Sequence, residues 1–134
     1  MYSETKIVVR YAETDKMGIV HHSVYPIWYE QGRTDFIKLA DLTYSKIEEL
    51  GIMLPLVSLT SNFKKPADYE DELIVRTSIS KFTPARIEFY YEVYKNNEII
   101  NTGTTVHAWV GKDLRPLNLK KNYGEIYSKI ETIM

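Results

Sequence analysis

A chain of 134 residues, 44% apolar and 26% charged, is long enough for one domain built around one hydrophobic core. Its formal net charge of -1 provides no overall field to draw in nucleic acid or an anionic membrane, so neither is expected as a partner. It has no cysteine, which excludes disulfides, a thiol nucleophile and thiolate metal sites, and fits a reducing compartment.

The opening Met-Tyr-Ser-Glu-Thr-Lys is polar and lacks the apolar core of a signal peptide. No apolar run approaches the ~20 residues that span a bilayer. A cytoplasmic protein with no membrane insertion is the expectation. Ile7-Val8-Val9 followed by Arg10-Tyr11 predicts a short strand. Ala12 to His22 carries Thr14, Asp15, Lys16 and Gly18 and reads as a polar turn region.

From about Ser23 to Leu42 the spacing becomes helical. Tyr25, Trp28, Tyr29, Gly32, Phe36, Leu39 and Ala40 recur at three- and four-residue intervals and form one apolar stripe. Ser23 is the candidate N-cap. Pro26 suits a first turn, where its missing N–H costs nothing, and disfavours helical angles at Tyr25. Gly32 in mid-helix costs about 1 kcal/mol relative to alanine, so it implies close contact between the helix and a sheet.

Thr43 to Leu50 adds one or two helical turns, stopped by Gly51. Four long β-rich runs follow: Leu54–Lys64, Glu72–Phe82, Ala85–Lys95 and Ile99–Val110. In the third, Ile87, Phe89, Tyr91 and Val93 alternate with Glu88, Tyr90, Glu92 and Tyr94, so the first set faces a core. Asn96-Asn97 predicts a tight hairpin turn. Asn122–Ile133 predicts a terminal helix. With no repeat or linker, residues 1–134 read as a single domain. One long helix against sequential antiparallel strands is an α+β arrangement.

The run Arg10-Tyr11-Ala12-Glu13-Thr14-Asp15-Lys16-Met17-Gly18-Ile19-Val20-His21-His22-Ser23-Val24-Tyr25 resembles the signature of the 4-hydroxybenzoyl-CoA thioesterase family. The likeness lies in the tyrosine, Thr-Asp, the glycine followed by two apolar residues, the histidine and the tyrosine opening the helix. Glu30 and Gly32-Arg33 resemble the family's helix centre. Phe63-Lys64-Lys65-Pro66-Ala67 with Asp71-Glu72-Leu73 resembles the start of its following strand. The resemblance implies a hotdog fold, in which a curved antiparallel sheet wraps one long central helix. It also implies a homodimer or homotetramer with shared sites, and hydrolysis of acyl-CoA thioesters without a cofactor. Asp15 is the catalytic residue carried over, with His22 and Tyr11 beside it. Where relatives have Tyr-His, this chain has His21-His22.

Thioester hydrolysis needs a group that attacks the carbonyl or deprotonates water, and donors for the oxyanion. A carboxylate serves the first need as base or nucleophile. Free amides at a helix N-terminus serve the second. Asp15 lies seven residues before His22, and a turn at Gly18 brings the two together; the donor implied by the resemblance is a backbone amide near His22. Gly18 and Val20 join the substrate-binding candidates. Lys64, Lys65, Lys81 and Arg86 are candidates for the CoA phosphates. Tyr25, Trp28, Tyr29 and Val57 are candidates for the acyl pocket.

Each assignment has a plainer rival. Asp15 alone reads as a turn residue. The His22 imidazole would serve equally to satisfy the helix start, and Tyr11 to pack on the helix. Glu30 is a rival carboxylate one residue off the stripe, placed to pair with Arg33. His107 reads as a core or edge residue. Adjacent histidines share no helix or strand face, so no metal site is expected. Two other functions remain open on the same fold: acyl-CoA binding without turnover, and hydration or dehydration by a histidine–carboxylate pair.

Overall fold

The computed structural model describes all 134 residues. Five strands, β1 (Ser3–Val8), β2 (Leu56–Phe63), β3 (Glu72–Phe82), β4 (Arg86–Lys95) and β5 (Glu98–Ala108), make one sheet. Its order is β1-β3-β4-β5-β2, with every neighbouring pair antiparallel. The helices are α1 (Tyr25–Ile37), α2 (Tyr44–Glu49), α3 (Leu119–Asn122) and α4 (Gly124–Glu131). This is the α+β architecture expected from the sequence.

The core lies between α1 and the sheet. Ile87, Phe89, Tyr91 and Val93 of β4 are all fully buried, and Glu88, Tyr90, Glu92 and Tyr94 are not. On the helix, Tyr25, Trp28, Tyr29, Gly32, Phe36 and Ile37 are buried. Register shifts at Leu56/Ser58, Ile79/Lys81 and Val93/Tyr94 bend the strands. Asn96 and Asn97, at φ 50° and 63°, form the two-residue turn between β4 and β5.

Gly32 and Gly103 explain how closely the layers meet. A Cβ at Gly32 would strike Thr77 Oγ1 and approach Val75 Cγ1 to 3.1 Å. At Gly103 it would strike the ring and hydroxyl of Tyr29. The Tyr29 ring also stacks on Tyr91, with centroids 4.4 Å apart and planes 8° from parallel. Thr5 Oγ1 donates to Asp35 Oδ2 at 2.7 Å and ties the far end of α1 to β1.

Several local expectations are corrected. The first strand is Ser3–Val8 rather than Ile7–Tyr11, because pairing with β3, from Ser3↔Thr77 to Val8↔Glu72, overrides local composition. Tyr11 instead opens a 3-10 turn, Tyr11–Glu13. Ser23 is not the cap of α1. It lies inside a 3-10 turn, His22–Val24, capped by His21, whose Nδ1 accepts from the Ser23 amide at 3.2 Å. Tyr25 is helical (φ -57°, ψ -40°) despite the proline after it, since the preceding turn already sets its direction. Leu39 falls on the exposed side because the chain tightens to three residues per turn at Lys38–Ala40. The terminal helix is broken at Tyr123, whose φ of -141° and ψ of 59° separate α3 from α4.

Candidate active site

The Asp15 loop is held from both sides. The Thr14–Val20 bridge closes the loop on itself, and the Ile19–Asp68 bridge stitches it to the segment after β2. The Val20 amide donates to Ala67 O at 2.8 Å. Within the loop, the Asp15 amide donates to Ile19 O (2.9 Å) and the Gly18 amide returns to Asp15 O (3.0 Å). Gly18 has a φ of +82° with open space around its Cβ position, so the turn's conformation, not crowding, selects glycine. Asp15 Oδ1 accepts the Met17 amide at 2.8 Å. This turn bond is the plainer role read from the sequence, and Oδ2 takes no part in it.

Ahead of the loop, Glu13 is a buried carboxylate that the sequence reading quoted but gave no role. Its Oε1 accepts the Arg10 amide at 2.8 Å and its Oε2 accepts the Trp28 indole N–H at 3.2 Å. The Arg10 guanidinium approaches Oε2 at 3.4 Å. A carboxylate two residues before Asp15 and an indole donor on the helix face were the available signals.

Asp15, Val20, His22, Tyr25, Lys64 and Lys65 line one cleft of about 360 Å³ at the N-terminal end of α1. In the turn that opens there, the Ser23 amide is taken by His21 Nδ1 and the Val24 amide by His21 O. The His22 amide, first in the turn, is not consumed inside it. His21 and His22 stack at 4.1 Å, and the His22 side chain is exposed. Tyr25 packs edge-on against Trp28 (4.9 Å) and Phe63 (5.2 Å). Burial pushes its phenol up to about 12, so it stays protonated near neutral pH.

Other candidates lie elsewhere. Tyr11 is exposed and packs edge-on against Tyr69 at 5.6 Å. Tyr29 is sealed in the core, its hydroxyl bonded to Ser61 Oγ at 2.8 Å and donating to Asn101 Oδ1. Val57 is exposed on β2 and does not line the cleft. Lys81 and Arg86 sit at the β3–β4 turn, at the opposite end of the sheet from Lys64 and Lys65 within one chain. Lys65 forms an ion pair with Glu98. Glu30 pairs with Arg33 at 3.8 Å, as the spacing suggested. His107 is a buried strand residue bonded to Thr105 Oγ1 (3.0 Å) and Leu54 O (3.3 Å).

A curved antiparallel sheet on one helix defines a hotdog domain, here with a carboxylate-bearing loop beside that helix's N-terminus. Residues 9–123 match the thioesterase-like superfamily, and the chain belongs to it. The DHNA-CoA thioesterase structure from Staphylococcus aureus superposes with a TM-score of 0.91 at 34% identity, covering 98% of this chain and 91% of that one. YneP of Bacillus subtilis (strain 168) is 34% identical over 131 residues, 96% of this chain and 95% of its own. The acyl-CoA thioesterase YbgC of Haemophilus influenzae is 27% identical over 103 residues, 76% of each chain. The comparisons therefore support the wider superfamily rather than 4-hydroxybenzoyl-CoA thioesterase in particular.

Proposed function

We propose that this protein hydrolyses the thioester of small acyl-CoA (or acyl-carrier) substrates at a site of the 4-hydroxybenzoyl-CoA thioesterase type. The observation that supports the reading is that Asp15 and His22 line one cleft at the start of α1, with the His22 amide unused inside its turn. The Asp15 carboxylate deprotonates a water that attacks the thioester carbonyl, or attacks it directly to give an acyl-enzyme anhydride that water then hydrolyses; in both routes the C–S bond breaks and CoA leaves as the protonated thiol. The His22 amide, at the positive end of the helix, stabilises the developing oxyanion. Lys64 and Lys65 at the rim suit the phosphates of CoA. Relatives named as acyl-CoA thioesterases support the substrate class.

The reading includes a homodimer formed along β2. That strand is a free edge of the sheet, and Leu56, Val57, Leu59 and Phe63 on it are all exposed. Pairing two β2 edges covers these side chains and continues the sheet.

The test is steady-state hydrolysis of short, long and aromatic acyl-CoAs by wild type and by Asp15→Asn. Asparagine keeps an acceptor for the Met17 amide, so the loop persists while the carboxylate is lost. The expected result is turnover of one substrate class, reduced about a hundredfold or more in the variant. Turnover untouched by the variant rejects Asp15 and directs attention to Glu30. Binding without turnover rejects hydrolysis in favour of an acyl-CoA-binding role.

A further inference from the structure

His21 stands at the junction between the loop that carries Asp15 and the 3-10 turn, His22–Val24, that leads into α1. Its amide donates to Glu13 O at 2.9 Å and closes the base of the loop. Above that closure, the Thr14–Val20 bridge and the bond from the Asp15 amide to Ile19 O pair the two arms like a short hairpin. On the helix side, the His21 carbonyl accepts the Val24 amide at 3.0 Å and the His21 Nδ1 accepts the Ser23 amide at 3.2 Å. One residue therefore fixes both the loop of the candidate carboxylate and the turn that holds the candidate oxyanion donor.

Any residue would make the two backbone contacts, but the third needs a side-chain acceptor. Nδ1 accepts only as the ring nitrogen without a proton, which places the proton of the neutral ring on Nε2. The Ser23 hydroxyl, 2.7 Å away, then donates to Nδ1 as well. Stacking on His22, with centroids 4.1 Å apart and planes 32° apart, holds the ring in this position. His22 lines the cleft, whereas His21 is half-buried and does not.

This arrangement is selective. The first amides of a helix have no partner inside it. His21 takes those of Ser23 and Val24, and the His22 amide stays unused inside the turn. An oxyanion donor lowers a barrier because it is fixed before charge develops, and a frayed turn would have to reorganise during the reaction.

We propose that His21 is a positioning residue for hydrolysis, and that its Nδ1 cap holds the turn so that the His22 amide stays in place for the thioester oxygen. The catalytic part rests on the thioesterase reading; the cap itself does not.

Two variants separate the acceptor from the ring. His21→Asn keeps an oxygen near the place of Nδ1 and loses the stack on His22, whereas His21→Phe keeps a ring and loses the acceptor. Amide hydrogen exchange by NMR on the folded proteins reads the cap without reference to activity. The Ser23 amide should exchange about tenfold or more faster in His21→Phe than in wild type, and within about threefold of wild type in His21→Asn. The imidazole nitrogen shifts of neutral wild type should place the His21 proton on Nε2. Equal Ser23 exchange in wild type and His21→Phe, or a proton on Nδ1, overturns the cap.

Steady-state hydrolysis of the acyl-CoA that wild type turns over fastest, measured well below each Tm, reads the positioning role. In His21→Phe, kcat should fall about tenfold or more while KM changes less than about threefold, and His21→Asn should restore most of kcat. Wild-type kcat in His21→Phe overturns that role. A loss in His21→Asn as large as in His21→Phe also overturns it, by assigning the effect to the ring. Should wild type hydrolyse no acyl-CoA while its Ser23 amide stays protected, the thioesterase reading fails and the positioning role fails with it, leaving the cap as a structural feature.

Discussion

Trp28 on the buried face of α1 donates its indole N–H to Glu13 at 3.2 Å, and Glu13 stands two residues before Asp15. The helix whose N-terminus opens the cleft is thereby tied to the loop that carries the candidate catalytic carboxylate. Helix position and carboxylate position are one mechanical unit, closed behind by the His21 amide donating to Glu13 O at 2.9 Å.

That linkage makes Glu13 a positioning residue. In Glu13→Gln the new amide can face the Trp28 N–H donor to donor, at a cost of about 1–3 kcal/mol. A loop displaced by about 1 Å lowers rate by up to a hundredfold, so kcat should fall more than KM rises. Urea unfolding combined with steady-state kinetics checks both. A variant that loses stability but keeps kcat would reduce Glu13 to a purely structural role.

Gly32→Ala tests the contact between helix and sheet. Propensity alone favours alanine by about 1 kcal/mol. The added Cβ would meet Thr77 Oγ1, on a strand that cannot retreat without disturbing its neighbours. Overpacking of this kind costs about 1–3 kcal/mol and should win. Thermal unfolding should show a lower Tm for the single variant. Gly32→Ala combined with Thr77→Ala should recover part of the loss, since the obstructing hydroxyl is gone and no hydrogen bond goes with it.

Much of this was readable from residue order. The 3.6-residue stripe from Tyr25 to Phe36 and the two-residue alternation from Ile87 to Val93 each carry one unambiguous period, and each folded as its period implies. The local faults share one cause. Ser3–Lys6 is polar and becomes a strand because β3 supplies its hydrogen bonds, which no local window contains. Leu39 fits the stripe only if the helix stays regular, and it does not. Within the cleft, Asp15, His22 and Lys64 were found from a motif in sequence. Glu13 was missed because its partner lies fifteen residues away. Tyr29 was read as a pocket wall because the face a ring presents to a sheet is invisible until the sheet is placed.

The pH dependence of stability should carry the signature of His107. Its folded pKa, about 4, lies below the ordinary value of 6.5. Above pH 6.5 both folded and unfolded forms are neutral at this site, and it contributes nothing. Between pH 6.5 and 4 the unfolded chain binds a proton that the folded chain refuses, so stability falls as pH falls. Below pH 4 the loss levels off, at about 3 kcal/mol for this group. Denaturant midpoints measured from pH 7.5 to 4 should show that slope, and His107→Gln should flatten it. A slope that is identical in the variant would assign the acid sensitivity to other groups.

The exposed apolar face of β2 sets the last test. Ser61 on this strand reaches inward to Tyr29, so Leu59, two residues before it, points to the same side of the sheet. Leu59 is nevertheless 37% exposed, because α1 lies chiefly over β1 and β3 rather than this edge. In a β2-paired dimer, Leu59→Asp places an unpaired carboxylate in each half of a symmetric interface, at about 3 kcal/mol or more per copy. The dimer constant should weaken more than about a hundredfold, enough to yield a monomer at micromolar concentration in sedimentation velocity. Activity should fall with dimer content where the site draws on both subunits. Activity that survives in a proven monomer would show that one chain holds a complete site. A wild-type protein that sediments as a monomer would remove the β2 pairing altogether.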